Sequence, residues 1–321
     1  MKRKLILPIV IATALAAAAF GIVFSLRTPS TDRGVADPDN LQSLSAPRIN
    51  RTRNPIDTAF FIDTKRFSSV WSSTHDVTYV SGKVVAGVVN HHFLAADLIA
   101  RFFTDLKASS PDAKRIIILS PDHFFSGRGP ISVHDRDYAT PDGILESDRP
   151  FVASLVSSTS VALEDGIMFE AEHGIGTLAP FIKHEFPDAK IVGIAMQGTM
   201  DRGLARSFGE ELSSLIDDRT IVIVSSDMSH YLPAGQALKN DEITISELKD
   251  LNQVFFARAK DDFIDNGVAL VALAGFFDAQ KAVPYFTLLD HGISSDYLDD
   301  DKNTTSYING IWAVEQMASC H

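Results

Sequence analysis

Short runs of apolar, β-branched residues alternate along the chain with longer segments whose apolar residues recur every three or four positions. The short runs predict buried strands and the longer segments predict helices. The predicted strands are Val84–Asn90, Arg115–Ser120, Lys190–Met196, Thr220–Ser226, Pro284–Leu289 and Ser306–Val314. The predicted helices are Leu94–Leu106, Phe151–Ser158, Gly174–Glu185, Arg202–Ile216, Asp241–Arg258 and Gly267–Ala279.

This alternation predicts an α/β fold. Strands that are apolar throughout are typical of a sheet whose two faces are both covered by helices. We therefore expect a three-layer sandwich with a mostly parallel (mixed) central sheet.

The first residues follow a different pattern. Lys2, Arg3 and Lys4 precede Leu5–Leu26, an uncharged and largely apolar stretch. A membrane-spanning helix needs roughly 20 apolar residues, and flanking Lys and Arg keep that end in the cytoplasm. The prediction is a signal anchor at residues 1–26, with a cleaved signal peptide ending near Ala16–Ala19 as the alternative. Either reading places the rest of the chain outside the cytoplasm.

Composition sets the domain boundaries and excludes two kinds of site. Residues 27–54 are polar and rich in Pro and Ser, which is typical of a flexible linker. One domain is predicted over residues 55–321. The net charge of −12 argues against nucleic-acid binding. Cys320 is the one cysteine, so an intrachain disulfide and a cysteine-based zinc cluster are both excluded.

Six of the ten histidines lie where a predicted strand ends or a predicted helix begins. Ligands of open α/β sheets bind beyond the carboxyl ends of the strands. A single histidine there is more often hydrogen-bonded within its loop, but several that meet indicate a site. The six are His91, His92, His123, His173, His230 and His291.

Several histidines are not expected to reach the shared site. Adjacent residues of a strand point to opposite faces, so we expect only His91 to face a shared site and His92 to pack nearby. His75, His134 and His184 have no such context and are expected at the surface.

Asp227 and His230 form a second candidate arrangement. If a helical turn begins after Ser226, these two side chains lie on one face of it and can orient one another as a base and its partner. Alternatively, Ser225, Ser226 or Asp227 caps that turn. A serine nucleophile at Ser225 or Ser226 also stays open.

Five short motifs, in order, carry a family resemblance. They are NHHFLA, ILSPDHFFSG, EAEHGIGTLAPFIKHEFP, IVIVSSDMSHY and SYINGIWAV. Together they span most of Val84–Val314 and resemble the Memo family, whose prokaryotic members are called AmmeMemoRadiSam system protein B. Memo proteins are similar in fold to the LigB-like subunits of class III extradiol dioxygenases, which hold a non-haem iron at strand ends.

The resemblance implies roles for several residues. The family's metal-site histidines correspond to His91 and His123. Asp227 and His230 correspond to its catalytic-type pair, and His173 to a pocket residue that we also expect to take part in catalysis.

The third metal ligand is where the sequence departs from the family. Many Memo proteins have a cysteine just before the late helix, and this chain has none there. Asp265 is the predicted replacement, with Asp262 as the other choice. Two histidines and a carboxylate favour iron, while copper or zinc stay possible. A site of three imidazoles that uses His173 or His230, and the loss of metal altogether, are the alternatives.

The expected function is that of a metal-dependent oxidoreductase of dioxygenase type acting on a small molecule. A non-catalytic binding or adaptor module and a metal-dependent hydrolase are the alternatives. The N-terminal helix is expected to bind a membrane, and no nucleic-acid partner is expected. A radical-SAM partner is implied by the family name but fits poorly with an exported domain.

Overall fold

An eight-stranded mixed sheet lies at the centre of the computed structural model, which describes residues 54–72, 75–159, 161–163 and 167–315. A separate three-stranded sheet joins β1, β5 and β6. The strands of the described residues are β1 Ile56–Asp57, β2 Lys83–Val89, β3 Arg115–Pro121, β4 Ile131–Val133, β5 Tyr138–Thr140, β6 Gly143–Leu145, β7 Ala162–Leu163, β8 Lys190–Met196, β9 Thr220–Ser225, β10 Tyr285–Ile293 and β11 Ser306–Val314.

The large sheet has the order β10-β11-β2-β9-β3-β8-β4-β7. Its four central strands, β2, β9, β3 and β8, run parallel to one another. Antiparallel pairing adds β11 and β10 on one side and β4 on the other. The predicted α/β fold with a mixed sheet is confirmed, and the carboxyl ends of the four parallel strands share one edge.

Helices cover both faces of this sheet. The helices of the described residues are α1 Thr64–Val70, α2 Ala96–Ser109, α3 Arg149–Ser158, α4 His173–Gly176, α5 Ala179–Glu185, α6 Arg202–Leu215, α7 Ala234–Asp250, α8 Gln253–Phe256 and α9 Gly267–Gln280. On β3, Ile116 and Ile118 pack into the cluster with α2 and α5. Ile117 and Leu119 pack into the other cluster, with α6 and α9. The two-residue period of a strand thus builds a separate core on each face.

Two predicted helices are interrupted in the structure. The segment predicted as Gly174–Glu185 forms α4 and α5, with Pro180 in the first turn of α5. The segment predicted as Asp241–Arg258 forms α7, which begins earlier, and the short helix α8. Leu251 ends α7 in the left-handed region with φ 44°, and the Asn252 side chain caps α8. Local caps of this kind override an apolar period that continues past them.

The fifth predicted strand is longer than expected. It was predicted to end at Leu289, but β10 continues to Ile293 because Asp290–Ile293 pair with β11 after a bulge. His291 therefore lies within an edge strand and not in a loop at the shared edge of the sheet.

The predicted membrane-anchored, extracytoplasmic location must be corrected. No helix among the residues that the structure describes is long and apolar enough to cross a bilayer. The predicted anchor, residues 1–26, and the predicted linker up to residue 53 lie outside the described residues. The membrane location is therefore withdrawn.

The close packing of α6 against α9 depends on two glycines. A Cβ at Gly209 of α6 would lie 1.8 Å from the carbonyl oxygen of Ala272, and one at Gly275 of α9 would lie 2.3 Å from that of Arg206. Since the obstructing atoms are backbone, a side chain at either position has to push the helices apart. The first residue of α6 and the segment preceding α9 both line one cavity of the protein.

We predict that Gly209→Ala lowers the free energy of unfolding by about 1–3 kcal/mol, the usual cost of overpacking a core. Urea unfolding followed by circular dichroism measures the change. Gly235→Ala is the matched control, because a Cβ on that exposed residue of α7 meets nothing within 4 Å. Equal unfolding midpoints for the two variants would contradict the helix contact described here.

Candidate metal centre

The candidate site lies where three parallel strands end. The register pairs Val89 of β2 with Ser225 of β9, and Leu119 of β3 with Val224 of β9. His91 and His123 follow the ends of β2 and β3 within two residues. Parallel pairing thus brings to one place side chains that are far apart in the sequence.

His91 is almost completely buried, at 2% exposure, and its ring orientation is fixed by Ser225. The Ser225 hydroxyl donates to the Gly174 carbonyl at 2.6 Å, and its Oγ lies 2.9 Å from His91 Nδ1. Because a hydroxyl has one hydrogen, Ser225 must accept from Nδ1–H. His91 therefore presents the lone pair of Nε2 to the site. Ser225 is buried and its proton is engaged, which argues against the serine nucleophile.

His123 is held by Glu172. Its Nδ1 donates to Glu172 Oε1 at 2.6 Å, and its backbone N–H donates to Oε2 at 3.1 Å. Glu172 is itself buried and accepts the Gly174 N–H at 2.9 Å, which caps α4. A carboxylate behind a histidine is the usual outer partner of a metal ligand, because it fixes the ring and strengthens the other nitrogen as a donor.

His173, the first residue of α4, completes a cluster of three imidazoles. Its ring centroid lies 3.9 Å from that of His123 and 5.2 Å from that of His91. One ligand nitrogen from each of the three rings lies within 4.8 Å of the others. The three histidines are positioned to hold one metal ion. The predicted catalytic role of His173 stays a prediction, but its position is that of a ligand.

Asp265 supplies an oxygen to the same place. Its Oδ1 accepts from the Ser226 hydroxyl at 2.6 Å. Its Oδ2 is buried, has no hydrogen-bond partner, and lies 3.4 Å from His91 Nε2 and 3.9 Å from His123 Nε2. A buried carboxylate oxygen without a partner is costly unless a cation completes it. This donor set of three imidazoles and one carboxylate therefore fits a divalent metal.

Asn266 holds the backbone behind Asp265. Its side-chain N–H groups donate to the carbonyls of Leu119 and Ser225, both at 3.1 Å. These carbonyls belong to the ends of β3 and β9, so Asn266 anchors the segment before α9 to the strands that deliver the histidines. Asp262, the other predicted ligand, is exposed and does not line the cavity.

The electrostatics of the site favour a cation. Burial is the largest influence on His91 and His173, and it lowers the pKa values of both rings. Burial acts in the same direction on His123, but Asp265 and Glu172 outweigh it and raise the pKa of His123 to about 10. Burial also raises the pKa of Asp265, but His91 and His123 outweigh it and lower that pKa. The Asp265 and Glu172 carboxylates thus stabilise a positive charge between them. In the metal-free protein, a proton on His123 supplies that charge.

Asp227 and His230 are not the hydrogen-bonded pair that a shared helical turn predicts. Residues 226–233 are irregular, and α7 begins at Ala234. Asp227 Oδ1 instead accepts the backbone N–H groups of His91, at 3.0 Å, and of His92, at 3.4 Å. His230 Nδ1 lies 2.5 Å from the Met228 carbonyl, which can only accept, so Nδ1 carries a proton and the neutral ring keeps Nε2 as its base.

One cavity of about 990 Å³ is lined by six of these side chains, namely His91, His123, His173, Asp227, His230 and Asp265. His92 also lines it, with Nδ1 2.8 Å from the Tyr307 hydroxyl, so the expectation that only one of the two adjacent histidines reaches the site is wrong. The reason is that β2 ends at Val89 and strand alternation does not continue through His91 and His92.

Two other histidines differ from their predicted places. His134 is buried and not at the surface: its Nε2 lies 3.0 Å from the Tyr138 hydroxyl, and its ring packs against Phe169. His291 is outside the cavity lining and is bonded through Nε2 to the buried Asp241 at 2.8 Å. Both nitrogens of His134 are hydrogen-bonded, and His291 is held through Nε2, so both residues have structural contacts that a pattern of single residues does not distinguish from those of ligands.

Fold and site together define an α/β protein with a histidine-rich pocket at the carboxyl edge of its parallel strands, in which three imidazoles are positioned to hold a metal ion. The family model for Memo-like protein matches residues 88–311, which is more than half of the chain. The chain belongs to the Memo-like family, and the predicted resemblance is confirmed.

Individual relatives agree. A MEMO1 family protein of Pyrobaculum aerophilum is 25% identical over 278 residues, covering 80% of this chain and 97% of its own length. A MEMO1 family protein of Aquifex aeolicus is 29% identical over 210 residues, covering 62% of this chain and 75% of its own length. An uncharacterized Escherichia coli K12 protein of known crystal structure covers 70% of this chain, with a TM-score of 0.47 and 15% identity, a similarity from which nothing about function follows.

We predict that Glu172→Gln weakens metal binding by about 10–100-fold, since it removes the carboxylate behind His123. Equilibrium dialysis against a metal buffer, read by mass spectrometry, measures the affinity. Glu170→Gln is the control, because that exposed side chain pairs with Arg136 away from the site. Equal losses in both variants would show that Glu172 has no special relation to the metal.

We also predict that metal affinity rises with pH between about 7 and 10. In the metal-free protein His123 is protonated below its pKa of about 10, so metal binding must release that proton. One released proton corresponds to roughly a tenfold gain in affinity per pH unit. Calorimetric titrations in buffers with different ionisation enthalpies count the protons, and a count of zero at pH 8 would contradict the assignment.

Proposed function

We propose that this protein is a metal-dependent oxidoreductase of dioxygenase type that uses a divalent metal, with iron ranked first. His91, His123 and Asp265 are the proposed ligands, and His173 is the additional imidazole. The observation that carries the proposal is Asp265 Oδ2, a buried oxygen without a hydrogen-bond partner that faces the Nε2 atoms of two histidines.

The kinds of donor atom support iron. Two histidines and one carboxylate on one face are the typical ligands of non-haem Fe(II), with positions left for substrate and oxygen. The segment 261–275 contains Asp265 but no cysteine, so the soft thiolate that favours copper(I) is absent from it. Bound iron supplies the activation of oxygen, and the chain supplies the rest of the chemistry.

His230 is the proposed base. The Met228 carbonyl holds its Nδ1–H, which leaves Nε2 to take a proton from a substrate hydroxyl in the cavity. Asp227 is a positioning residue in this proposal, because its carboxylate bonds to the backbone of His91 and His92 and not to the base.

A metal-dependent hydrolase is the second candidate. Three imidazoles within 4.8 Å are also the ligands of catalytic zinc sites, in which a fourth position holds water. His230 would then take a proton from water and not from the substrate. The identity of the metal separates the two functions.

Metal analysis of the full chain purified under reducing conditions tests the proposal. We expect close to one iron per chain in the wild type and a loss of iron in His91→Ala, His123→Ala and Asp265→Asn. His184→Ala is the control, because that exposed ring stacks on Trp71 away from the cavity. Zinc alone would favour the hydrolase. A wild type that binds no iron, copper or zinc would end the oxidoreductase proposal.

We predict that His230→Gln keeps its metal but loses about 100-fold or more of its oxygen consumption, the usual effect of removing a general base. Oxygen uptake with catechol-type compounds, measured alongside metal content, reports both properties. A loss of metal equal to that of His91→Ala would instead make His230 a ligand. Unchanged uptake would remove it from the mechanism.

A further inference from the structure

The fourth parallel strand also contributes to the cavity, and no sequence motif pointed to it. After β8 ends at Met196, residues Gly198 and Thr199 line the cavity, and so does Arg202, the first residue of α6. The site predicted from the sequence used residues that follow β2, β3 and β9, together with His173 and Asp265, and none that follows β8. The segment after β8 is therefore a second wall that faces the same space as the metal centre.

The Arg202 guanidinium is fixed in place but not neutralised. Nε donates to the Ala257 carbonyl at 3.1 Å, and Nη1 donates to the carbonyls of Gly198 at 2.9 Å and Met200 at 3.0 Å. Carbonyl oxygens accept hydrogen bonds without carrying a net charge, so the positive charge persists. Nη2 has no partner among the described residues, and its two N–H groups are available to a ligand.

Two other arginines near the ends of strands and helices, Arg206 and Arg115, are paired with carboxylates. Arg206, one turn further along α6, bonds to Asp278 at 2.7 Å and to Glu210 at 3.2 Å. Arg115 likewise bonds to Asp148 at 2.7 Å. Arg202 differs from these two: burial lowers its pKa, the neighbouring Asp201 carboxylate acts in the opposite direction, and no ion pair joins Arg202 to a carboxylate among the described residues.

A second cation lies on the same wall. Lys260 lines the cavity, and its side-chain ammonium has no hydrogen-bond or ion-pair partner among the described residues, although its backbone carbonyl accepts the N–H groups of Phe263 and Ile264. The neighbouring Asp261 carboxylate is exposed at the rim and does not pair with it. Asp122, which also lines the cavity, has both oxygens engaged by the backbone N–H groups of Ser126 and Gly127. No cavity carboxylate thus competes directly for Arg202 or Lys260.

The mouth of the cavity adds flat apolar surface. Phe125 and Tyr231 line it and are 59% and 74% exposed. Both have left-handed backbones, with φ 49° and 56°, a conformation that costs energy for a bulky residue. Exposed aromatic rings held in this way suit a planar ligand body between the two walls.

We propose that Arg202 and Lys260 form an anion-binding subsite, so that the substrate of this cavity is a planar molecule that carries a carboxylate or a phosphate apart from the group that meets the metal. Arg202 is the main contact, because its fork of N–H groups matches either kind of oxyanion and is already held by three backbone carbonyls. Lys260 contributes as a second positive charge. This substrate class rests on the proposed function, but the anion subsite itself does not.

Binding of simple probes to the full chain in the presence of a chelator tests the subsite without the metal. The probes are benzoate, phenyl phosphate and neutral benzamide, followed by ligand-observed NMR titration. We expect the wild type to bind at least one of the anions more tightly than benzamide. We expect Arg202→Gln to lower the affinity for that anion about tenfold and to leave the affinity for benzamide unchanged.

Matched variants separate the subsite from other causes. Arg206→Gln removes a paired arginine of the same helix and should leave all three affinities unchanged. Lys260 is exposed, so we expect Lys260→Gln to leave the fold intact. This variant should lower the affinity for the anion about threefold. His123→Gln should keep the preference for the anion, which shows that the protonated histidine is not its source. Arg202→Lys should recover part of the preference, since it restores the charge without the fork.

Three results would overturn the proposal: no preference for either anion in the wild type, a preference that survives in both Arg202→Gln and Lys260→Gln, or a preference lost in His123→Gln alone. If Arg202→Gln unfolds at the normal temperature but binds none of the three probes, that result would also count against the proposal, because the loss of a charge-specific contact leaves the binding of neutral benzamide unchanged. None of these results depends on iron. A protein without iron that still shows the Arg202-dependent preference would lose the dioxygenase proposal and keep the subsite.

Discussion

Parallel pairing of β9 with β2 on one side and β3 on the other is the constraint on which the site depends. It places Ser225 beside Val89 and Val224 beside Leu119, and so sets the distance between the segments that carry His91 and His123. The Ser225 hydroxyl then orients the His91 ring, while the Asp227 carboxylate accepts the backbone N–H groups of His91 and His92. A slip of β9 by one residue would turn Ser225 to the other face of the sheet and break both contacts.

Buried carboxylates explain why this edge of the sheet suits a metal. Glu172 and Asp227 are buried and Asp265 is nearly so, and Asp265 Oδ2 is a buried oxygen without a hydrogen-bond partner. A proton on His123 offsets part of the negative charge, and a divalent ion offsets more of it while satisfying that oxygen. The Arg202 and Lys260 side chains line the same cavity and add positive charge to it, as the proposed anion-binding subsite requires.

The sequence allowed the core strands to be predicted closely, because β3, β8 and β9 are continuous apolar runs and lie within one residue of their predicted limits. The sequence-based prediction was wrong where a helix cap interrupts an apolar period, as at Leu251, whose left-handed backbone ends α7 before α8 begins. It also failed for His134, whose burial depends on Tyr138 and Phe169 and not on its immediate neighbours. Periodicity reports which face of an element is buried, but it does not report which polar residue finds a partner inside.

The sequence by itself determined the kind of fold, the edge of the sheet at which the site lies, and the kinds of donor there, since strand period and residue type are local properties. Only the tertiary structure decided which donors meet. It chose Asp265 over Asp262 through Asn266, joined His173 to the two strand-end histidines, and separated His230 from Asp227. It also placed Arg202 in the lining of the same cavity, where its Nε–H donates to the Ala257 carbonyl. The physical reason is that loop direction is set by packing between residues distant in the sequence, and no local pattern carries that information.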